Sequence, residues 1–391
     1  MWRNRHHLMS RFSKQNKVLY VEPRYYLKEL RQQLVNRASG NSHLVQNMKQ
    51  KRVVKTAGNP NLYIYHTPAF LPVSGRSLLD KVTLGAWTLY LKTVIQKLGF
   101  RNPTIWLSRP DWVDLIGRFH ERLVVYHVVD EYMGYDLNSE ESKQKLMKLE
   151  REMLQKVDVV ITVSEKLYQA KKRFNKNTYL VANAVDFDSY DRALKSNSDP
   201  PKDIDILKKP IIGYSGLIST RLDFEIIDYI ATKHPEWSLA LMGGVNKGCE
   251  DILQRFKTFK NIHLMGQKPI DQVPYYVKHF NVCIIPYGKN EQSENLSPLK
   301  LYDYFAMGKP VVTTDFPAAR LFREVIKISN SKETFLNNIE DALSNDNNHF
   351  FPERRKIASE NTWDHRIEEI SKIIQKSFSL FDVKSQIQPL P

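Results

Sequence analysis

Short apolar runs alternate with longer stretches of helical spacing along most of the chain. Runs of four to seven residues that are rich in Val, Ile and Tyr, bounded by polar residues, are typical of buried strands in a parallel sheet. In the first half of the chain the predicted strands are 18–21, 62–65, 104–107, 123–129 and 157–163. In the second half they are 211–214, 238–242, 262–265, 282–285 and 310–313.

The intervening stretches carry apolar residues three and four positions apart, which predicts helices. These helices are 77–98, 139–155, 223–234, 251–257, 274–279, 298–307 and 353–377, with a helix-like stretch at 6–14. Alternating strands and helices predict doubly wound α/β sheets. Such a domain normally opens with a strand, so either this fold begins on the helix-like stretch before residue 18 or the opening strand is missing from the chain.

A polar segment with two prolines, 196–209, predicts a domain boundary. We therefore predict an N-terminal domain over 1–195, a C-terminal domain over 205–352 and a terminal helix over 353–378. The length of 391 residues suits two such domains, and a 42% hydrophobic content excludes a wholly disordered chain.

The cysteine content and the hydropathy pattern indicate a cytoplasmic protein. The chain has only Cys249 and Cys283, which excludes a disulfide framework and favours a reducing compartment. It has no run of 18 apolar residues, and its basic N-terminus lacks the apolar core of a secretory signal.

Positive charge is concentrated in the first 110 residues, which hold 19 Lys and Arg against 3 Asp and Glu, out of a net charge of +15 for the chain. Such a surface could attract nucleic acid, anionic lipid or acidic glycan, or it could simply aid solubility. The basic tract 49–55 is short and lacks the interleaved aromatic residues of a single-strand binder. We therefore expect peripheral attachment to the inner face of the cell membrane and no nucleic-acid partner.

The segment 295–312 carries the strongest chemical signal. Ser297 and Pro298 have the residue types of a helix N-cap and first turn, and Gly308 those of a helix end. Free N–H groups at that helix start, together with Lys300, would attract a phosphate. Asp303, one turn later, could accept hydrogen bonds from both hydroxyls of a ribose. The pattern predicts a nucleoside diphosphate site, although an ordinary capped helix would show it too.

Residues 298–312 resemble the donor-site signature of two-domain (GT-B) glycosyltransferases of the group 1 (family 4) type. Within that group the chain is most similar to teichuronic-acid-biosynthesis-type enzymes of bacterial surface-polysaccharide assembly. Two positions depart from the family pattern: Asp303 stands where Glu is usual, and Asn295 stands where a first carboxylate is usual, with Glu291 and Glu294 nearby. The likeness continues in order through 5–8, 18–23, 125–131, 162–165, 183–186, 213–223, 235–244, 266–276, 285–287 and 354–366.

This resemblance implies two Rossmann-like domains that face a central cleft, with the C-terminal helix packing back on the first domain. It implies transfer of a sugar, with retention, from a UDP- or GDP-sugar to a lipid-linked or polysaccharide acceptor. The donor-binding residues that it implies are Gly216, Arg221, Gly243, Gln267, Asn295, Ser297, Pro298, Leu299, Lys300 and Asp303.

The candidate catalytic groups follow the predicted strand 123–129. We expect Asp130 to lie nearest the reacting centre, with His127 and Glu131 as further candidates, although Asp130 could instead cap the next helix. No side chain is assigned as a formal base, since the resemblance implies that the leaving phosphate assists the reaction. Asp186 and Asp188 have the spacing of a metal-binding pair but lie between the domains, so we expect no essential metal and no other cofactor.

Two alternatives remain open. Nucleotide-sugar 2-epimerases share the architecture but need paired acid and base carboxylates, which the sequence does not offer convincingly. A basic protein that binds membranes or polyanions, or a degenerate transferase, would also fit the charge distribution and the missing opening strand.

Overall fold

A computed structural model describes residues 4–27, 30, 51–56, 58–73, 77–129, 140–246, 248–288, 297, 299–345 and 349–387. The described residues form an α/β protein with two compact units. One unit is built from residues within 127–148 and 160–373. The other is built from residues within 3–126, 149–159 and 374–391. The predicted domain ranges remain predictions.

A small mixed sheet lies near the N-terminus. Helix α1 (Asn4–Phe12) precedes β1 (Val18–Val21), and β2 (Val53–Lys55) and β3 (Leu62–Tyr65) complete a sheet of order β1-β3-β2. Strand β3 is parallel to β1 and antiparallel to β2. Helix α2 (Ser77–Lys97) contributes Trp87, Leu91 and Val94 to the same apolar cluster as Tyr65 of β3.

A four-stranded sheet of order β4-β5-β6-β7 follows. Its strands are β4 (Thr104–Leu107), β5 (Leu123–Val128), β6 (Val159–Thr162) and β7 (Thr178–Leu180). A 3₁₀ helix covers Pro110–Leu115, and α3 (Glu140–Lys156) and α4 (Glu165–Lys172) follow β5 and β6. Strands β5 and β6 are buried throughout, which explains their uninterrupted apolar sequences.

The C-terminal half contains a six-stranded parallel sheet of order β10-β9-β8-β11-β12-β13. Its strands are β8 (Ile211–Ser215), β9 (Ser238–Met242), β10 (Ile262–Gly266), β11 (Val282–Ile285), β12 (Val311–Thr314) and β13 (Lys327–Ser329). The helices are α5 (Phe187–Lys195), α6 (Lys202–Asp205), α7 (Phe224–Lys233), α8 (Glu250–Phe256), α9 (Val273–His279), α10 (Leu299–Ala306), α11 (Pro317–Arg320) and α12 (Lys332–Asn345). This strand order is that of a dinucleotide-binding doubly wound sheet.

Two helices close the described chain, α13 (Phe351–Glu360) and α14 (Trp363–Ile387). The single helix predicted over 353–377 is therefore wrong. Asn361 leaves helical geometry, and Thr362 forms a bridge with Val185. Within the described residues, no helix combines the length and the apolar character needed to span a bilayer.

All ten predicted strands are present, with ends that differ by at most two residues. The five strands predicted in the first half of the chain are divided between two sheets. Strands β2, β7 and β13 were not predicted. Each missed strand has three residues, and none is buried along its length, so none forms a long apolar run.

Candidate donor site

The order of the six-stranded sheet creates one position suited to ligand binding. Strands β8 and β11 are neighbours, but the chain proceeds from β8 toward one edge of the sheet and from β11 toward the other. Ligands bind at such a switch point, beyond the carboxyl ends of the strands. Gly216 follows β8 there, and Tyr287 lies just beyond β11.

Lys300, in the first turn of α10, places its ammonium group at this switch point. Its Nζ donates a hydrogen bond of 2.7 Å to the Tyr214 hydroxyl. The same atom lies 4.1 Å from the centre of the Tyr214 ring and 4.8 Å from that of Tyr287. Because two aromatic faces and one hydroxyl surround it, the cation occupies a defined position.

The surroundings of Lys300 disfavour its charge. Burial lowers its pKa to about 7, and Arg221 acts in the same direction, while Asp303 opposes the shift. A lysine with such a pKa is only partly protonated near neutral pH. An anion that bound beside Lys300 and Arg221 would favour the protonated form.

Two glycines allow the loops beyond β8 and β9 to meet. Gly216 and Gly243 have φ values of +154° and +155°, and a Cβ on Gly243 would lie 1.8 Å from the Gly216 carbonyl oxygen. The Gly216 N–H donates to Met242 at 2.8 Å, and the Gly243 N–H donates to Gly266 at 2.9 Å. Glycine at both positions therefore permits an approach that a larger residue would block.

Helix α10 is fixed by contacts from distant parts of the chain. The Asn183 side-chain amide donates to the Ser297 carbonyl at 2.6 Å. The Ser215 N–H donates to the Tyr304 hydroxyl at 2.8 Å. At the other end, Arg355 donates to the Ala306 carbonyl at 2.6 Å, where a cation also complements the helix dipole. Leu299, a predicted donor contact, begins the helix.

Asp303 is partly buried and accepts a hydrogen bond from the Tyr190 hydroxyl. Burial raises its pKa to about 7 and Asp186 adds to the rise, whereas the Tyr190 hydrogen bond and Lys300 oppose it. The Asp303 carboxyl is therefore only partly ionised near neutral pH. The Asn183, Tyr190 and Arg355 contacts were not predicted, since each joins residues far apart in sequence.

A pocket adjoins this site. It is lined by Ser215, Met242, Gly243, Gln267, Lys268, Ile270 and Val273. Gln267 is exposed, while Lys268 pairs with Asp203. The structure thus brings Gly216, Arg221, Gly243, Gln267, Lys300 and Asp303 to one end of the sheet, although their predicted roles remain predictions.

Four predicted site residues lie outside the described residues: Asp130, Glu131, Asn295 and Pro298. His127 is described and lies on β5, where it is only 2% exposed. Burial lowers its pKa to about 3, which leaves it neutral at physiological pH. Its catalytic role stays a prediction. Within the part of the chain that the structure describes, no group of three His, Cys, Asp or Glu side chains could hold a metal ion.

The segment that contains Arg221, Lys300 and Asp303 matches a known protein family. Residues 219–345 match the glycosyl transferases group 1 family. The predicted resemblance to that group is confirmed. TuaH of Bacillus subtilis (strain 168), named for glycosyl transfer in teichuronic acid biosynthesis, is 24% identical in an alignment of 226 residues that covers 55% of this chain. The aligned part is 56% of TuaH, so the match spans about half of that relative.

Solved structures share the fold over a larger part of the chain. Sucrose-phosphate synthase from Thermosynechococcus elongatus has a TM-score of 0.67 at 16% identity, covering 96% of this chain and 92% of the other. HepE of Anabaena, solved with UDP-glucose, has a TM-score of 0.58 at 14% identity, covering 74% and 82%. The GT-B fold predicted from the sequence is confirmed.

Proposed function

We propose that this chain is a glycosyltransferase that binds the diphosphate of a nucleotide sugar at Lys300 and Arg221. The observation that carries the proposal is the ammonium group of Lys300, held at the sheet switch point beside a second cation. Placing two positive groups together in a partly buried site costs folding free energy. A bound diphosphate would offset that cost by neutralising both groups.

The neighbouring features suit the rest of a nucleotide. The pocket lined by Gln267 and Val273 is also lined by Ser215 and Gly243 at this end of the sheet, and we place the base beside it. The Asp303 carboxyl retains acceptor capacity for a ribose hydroxyl beside its bond from Tyr190. The UDP-glucose complex of HepE favours a UDP-sugar as the donor, with a GDP-sugar as the alternative.

In the proposed reaction, the bond between the anomeric carbon and the β-phosphate oxygen breaks, and the electron pair stays on the leaving nucleoside diphosphate. Lys300 and Arg221 stabilise the negative charge that develops there. The acceptor hydroxyl oxygen bonds to the anomeric carbon on the same face, which retains its configuration. The hydroxyl proton passes to the leaving phosphate, and Asp130 is our candidate for a polar group near the reacting centre.

We propose a lipid-linked or polysaccharide acceptor, since the TuaH relative is named for teichuronic acid biosynthesis. We also propose that the enzyme works at the inner face of the cell membrane. The net positive charge of the first 110 residues would attract anionic headgroups to the surface where such acceptors are assembled. We expect the reaction to need no metal, because two side-chain cations face the diphosphate.

The test compares nucleotide binding by the wild type, Lys300→Met and a matched control, Lys332→Met. Lys332 is an exposed lysine in the same half of the chain. Thermal shift and calorimetry with UDP, GDP, CDP and ADP should show one preferred nucleotide. At a hundredfold its Kd, that nucleotide adds about 2.7 kcal/mol to the stability of the wild type and the control.

Lys300→Met should lose this stabilisation together with hydrolysis and transfer of the matching nucleotide sugar. Unchanged nucleotide binding in Lys300→Met would contradict the proposed site. A wild-type protein that binds none of the four nucleotides would contradict the proposed function.

A further inference from the structure

The outward face of α2 is apolar, although a surface helix normally exposes polar residues there. Leu78, Val82 and Leu89 are 78%, 70% and 66% exposed, and Leu79 and Tyr90 are also exposed. We call these five residues the α2 apolar face. Scattered surface leucines are common, but five large exposed apolar side chains on one side of a single helix are the kind of surface that binds a partner.

The opposite face of α2 already has its packing partners. Trp87, Leu91 and Val94 are buried in the apolar cluster that includes Tyr65 of β3. The α2 apolar face is therefore additional to the residues that fold this helix onto its sheet. Phe70, which precedes α2 in sequence, is also an exposed apolar residue, at 73%.

Positive charge accompanies the apolar residues. Lys81 and Lys92 each lie three positions after a leucine of the patch, Leu78 and Leu89, and helical spacing places such residues side by side. The sequence of α2 contains three lysines and one acidic residue, Asp80, which interacts electrostatically with Arg24. The face thus combines apolar side chains with a positive border.

We propose that the α2 apolar face inserts into the headgroup region of an anionic phospholipid bilayer, with Lys81 and Lys92 beside lipid phosphates. An amphipathic helix with a basic border binds in the plane of the interface in this way. A second copy of the chain fits the face less well. A symmetric contact between two α2 helices would bring lysines toward lysines, with little acidic charge to balance them.

The α2 apolar face would provide the membrane attachment proposed above, and its binding to lipid does not depend on the proposed sugar transfer. The first test measures co-sedimentation with vesicles of phosphatidylcholine alone or mixed with phosphatidylglycerol. The wild type should bind the mixed vesicles preferentially, and added salt should weaken that binding. Leu78→Ser/Val82→Ser/Leu89→Ser should lower the partition coefficient at least about tenfold.

The matched control is Ile206→Ser/Leu321→Ser, which replaces two apolar residues that are 80% and 78% exposed but lie far from α2 in sequence. This control should bind vesicles like the wild type. Circular dichroism and nucleotide binding, measured on the same variants, should be unchanged, which separates membrane attachment from the donor site. Lys81→Gln/Lys92→Gln should lose much of the preference for phosphatidylglycerol.

A second measurement reports insertion directly. Cys249 and Cys283 are fully buried, so Val82→Cys provides an accessible thiol for an environment-sensitive fluorophore. Its emission should shift to the blue with mixed vesicles, whereas a label at Leu321→Cys should not respond. An unchanged spectrum at position 82, or wild-type vesicle binding by the serine variant, would overturn the proposal. A wild-type dimer that becomes monomeric in the serine variant would assign the face to self-association instead.

Discussion

The ammonium group of Lys300 packs directly against Gly216. A Cβ built on Gly216 would lie 2.7 Å from Lys300 Nζ and 3.0 Å from the Tyr214 hydroxyl. The start of α10, the end of β8 and the glycine that follows β8 therefore come together at the Lys300 ammonium group. A side chain larger than glycine at position 216 would disturb the position of that group.

Gly216→Ala should lower the free energy of nucleotide binding by more than it lowers the free energy of unfolding. The added methyl group would displace the flexible end of Lys300, and the φ of +154° would strain a residue with a Cβ. We expect a loss of about 1–3 kcal/mol in the free energy of unfolding. Calorimetric titration with the preferred nucleotide should show that the free energy of binding falls by more than this amount. Wild-type affinity in Gly216→Ala would show that Lys300 does not contact the ligand from this position.

Gly243→Ala should act mainly on the stability of the fold, and less on nucleotide binding. Its Cβ would lie 1.8 Å from a backbone oxygen of Gly216, which cannot move aside as the end of a lysine can. We therefore expect a loss of stability greater than that of Gly216→Ala, measured by urea unfolding of the two variants and the wild type. Gly58→Ala is a useful control, because its φ is also positive but no atom lies within 4 Å of the added Cβ. Equal stability of Gly243→Ala and Gly58→Ala would contradict this account.

Local sequence patterns account for the strands that surround the donor site. Strands such as Ser238–Met242 and Val282–Ile285 are buried along their whole length. A fully buried strand needs apolar residues at nearly every position, and such a continuous run can be recognised from the sequence alone. The helix start before Lys300 was recognisable for a similar reason, since cap residues act on the turn that follows them.

The contacts that position the site could not be predicted in this way. Asn183 and Ser297 are 114 residues apart, and Ser215 and Tyr304 are 89 residues apart. Helical and strand periodicity report only on near neighbours, so they carry no information about such pairs. The rings that surround Lys300 were hidden for another reason: Tyr214, the ring closer to its ammonium group, is also a buried strand residue. The exposed face of α2 was equally hidden, because a helical pattern does not say which apolar residues remain outside.

Lys300→Met should stabilise the protein while it removes nucleotide binding. The folded-state pKa of Lys300 lies near 7, below its ordinary value of 10.5, so folding is disfavoured where the unfolded lysine is protonated. The cost is full below pH 7 and declines as the pH rises from about 7 to 10.5. We expect Lys300→Met to gain about 0.5–2 kcal/mol at pH 6 and progressively less toward pH 10. Urea unfolding across this range checks both the sign and the trend, and Lys332→Met should show neither.

Nucleotide-sugar binding should take up a proton above neutral pH. In the free protein Lys300 is largely neutral above its pKa of about 7, but the bound diphosphate favours the ammonium form. Affinity should therefore fall by up to about tenfold for each pH unit above 7. A UDP-sugar is the suitable probe because both of its phosphates stay fully charged across this range. Calorimetry at pH 8 in buffers of different ionisation enthalpy measures the proton uptake, which should be retained in Lys332→Met. Binding without proton uptake in the wild type would contradict this account.

Tyr190→Phe should move the acidic limb of the same binding profile. The Tyr190 hydroxyl donates to the Asp303 carboxylate and so holds the Asp303 pKa lower than burial alone would. Removing that donor should raise the pKa of Asp303 above about 7. If the carboxylate form binds the ribose, affinity for the nucleotide should then begin to fall at a higher pH as the solution is acidified. Tyr229→Phe, on helix α7, should leave the profile unchanged. Asp303→Asn should remove the acidic limb altogether, and a wild-type limb in that variant would show that another group titrates.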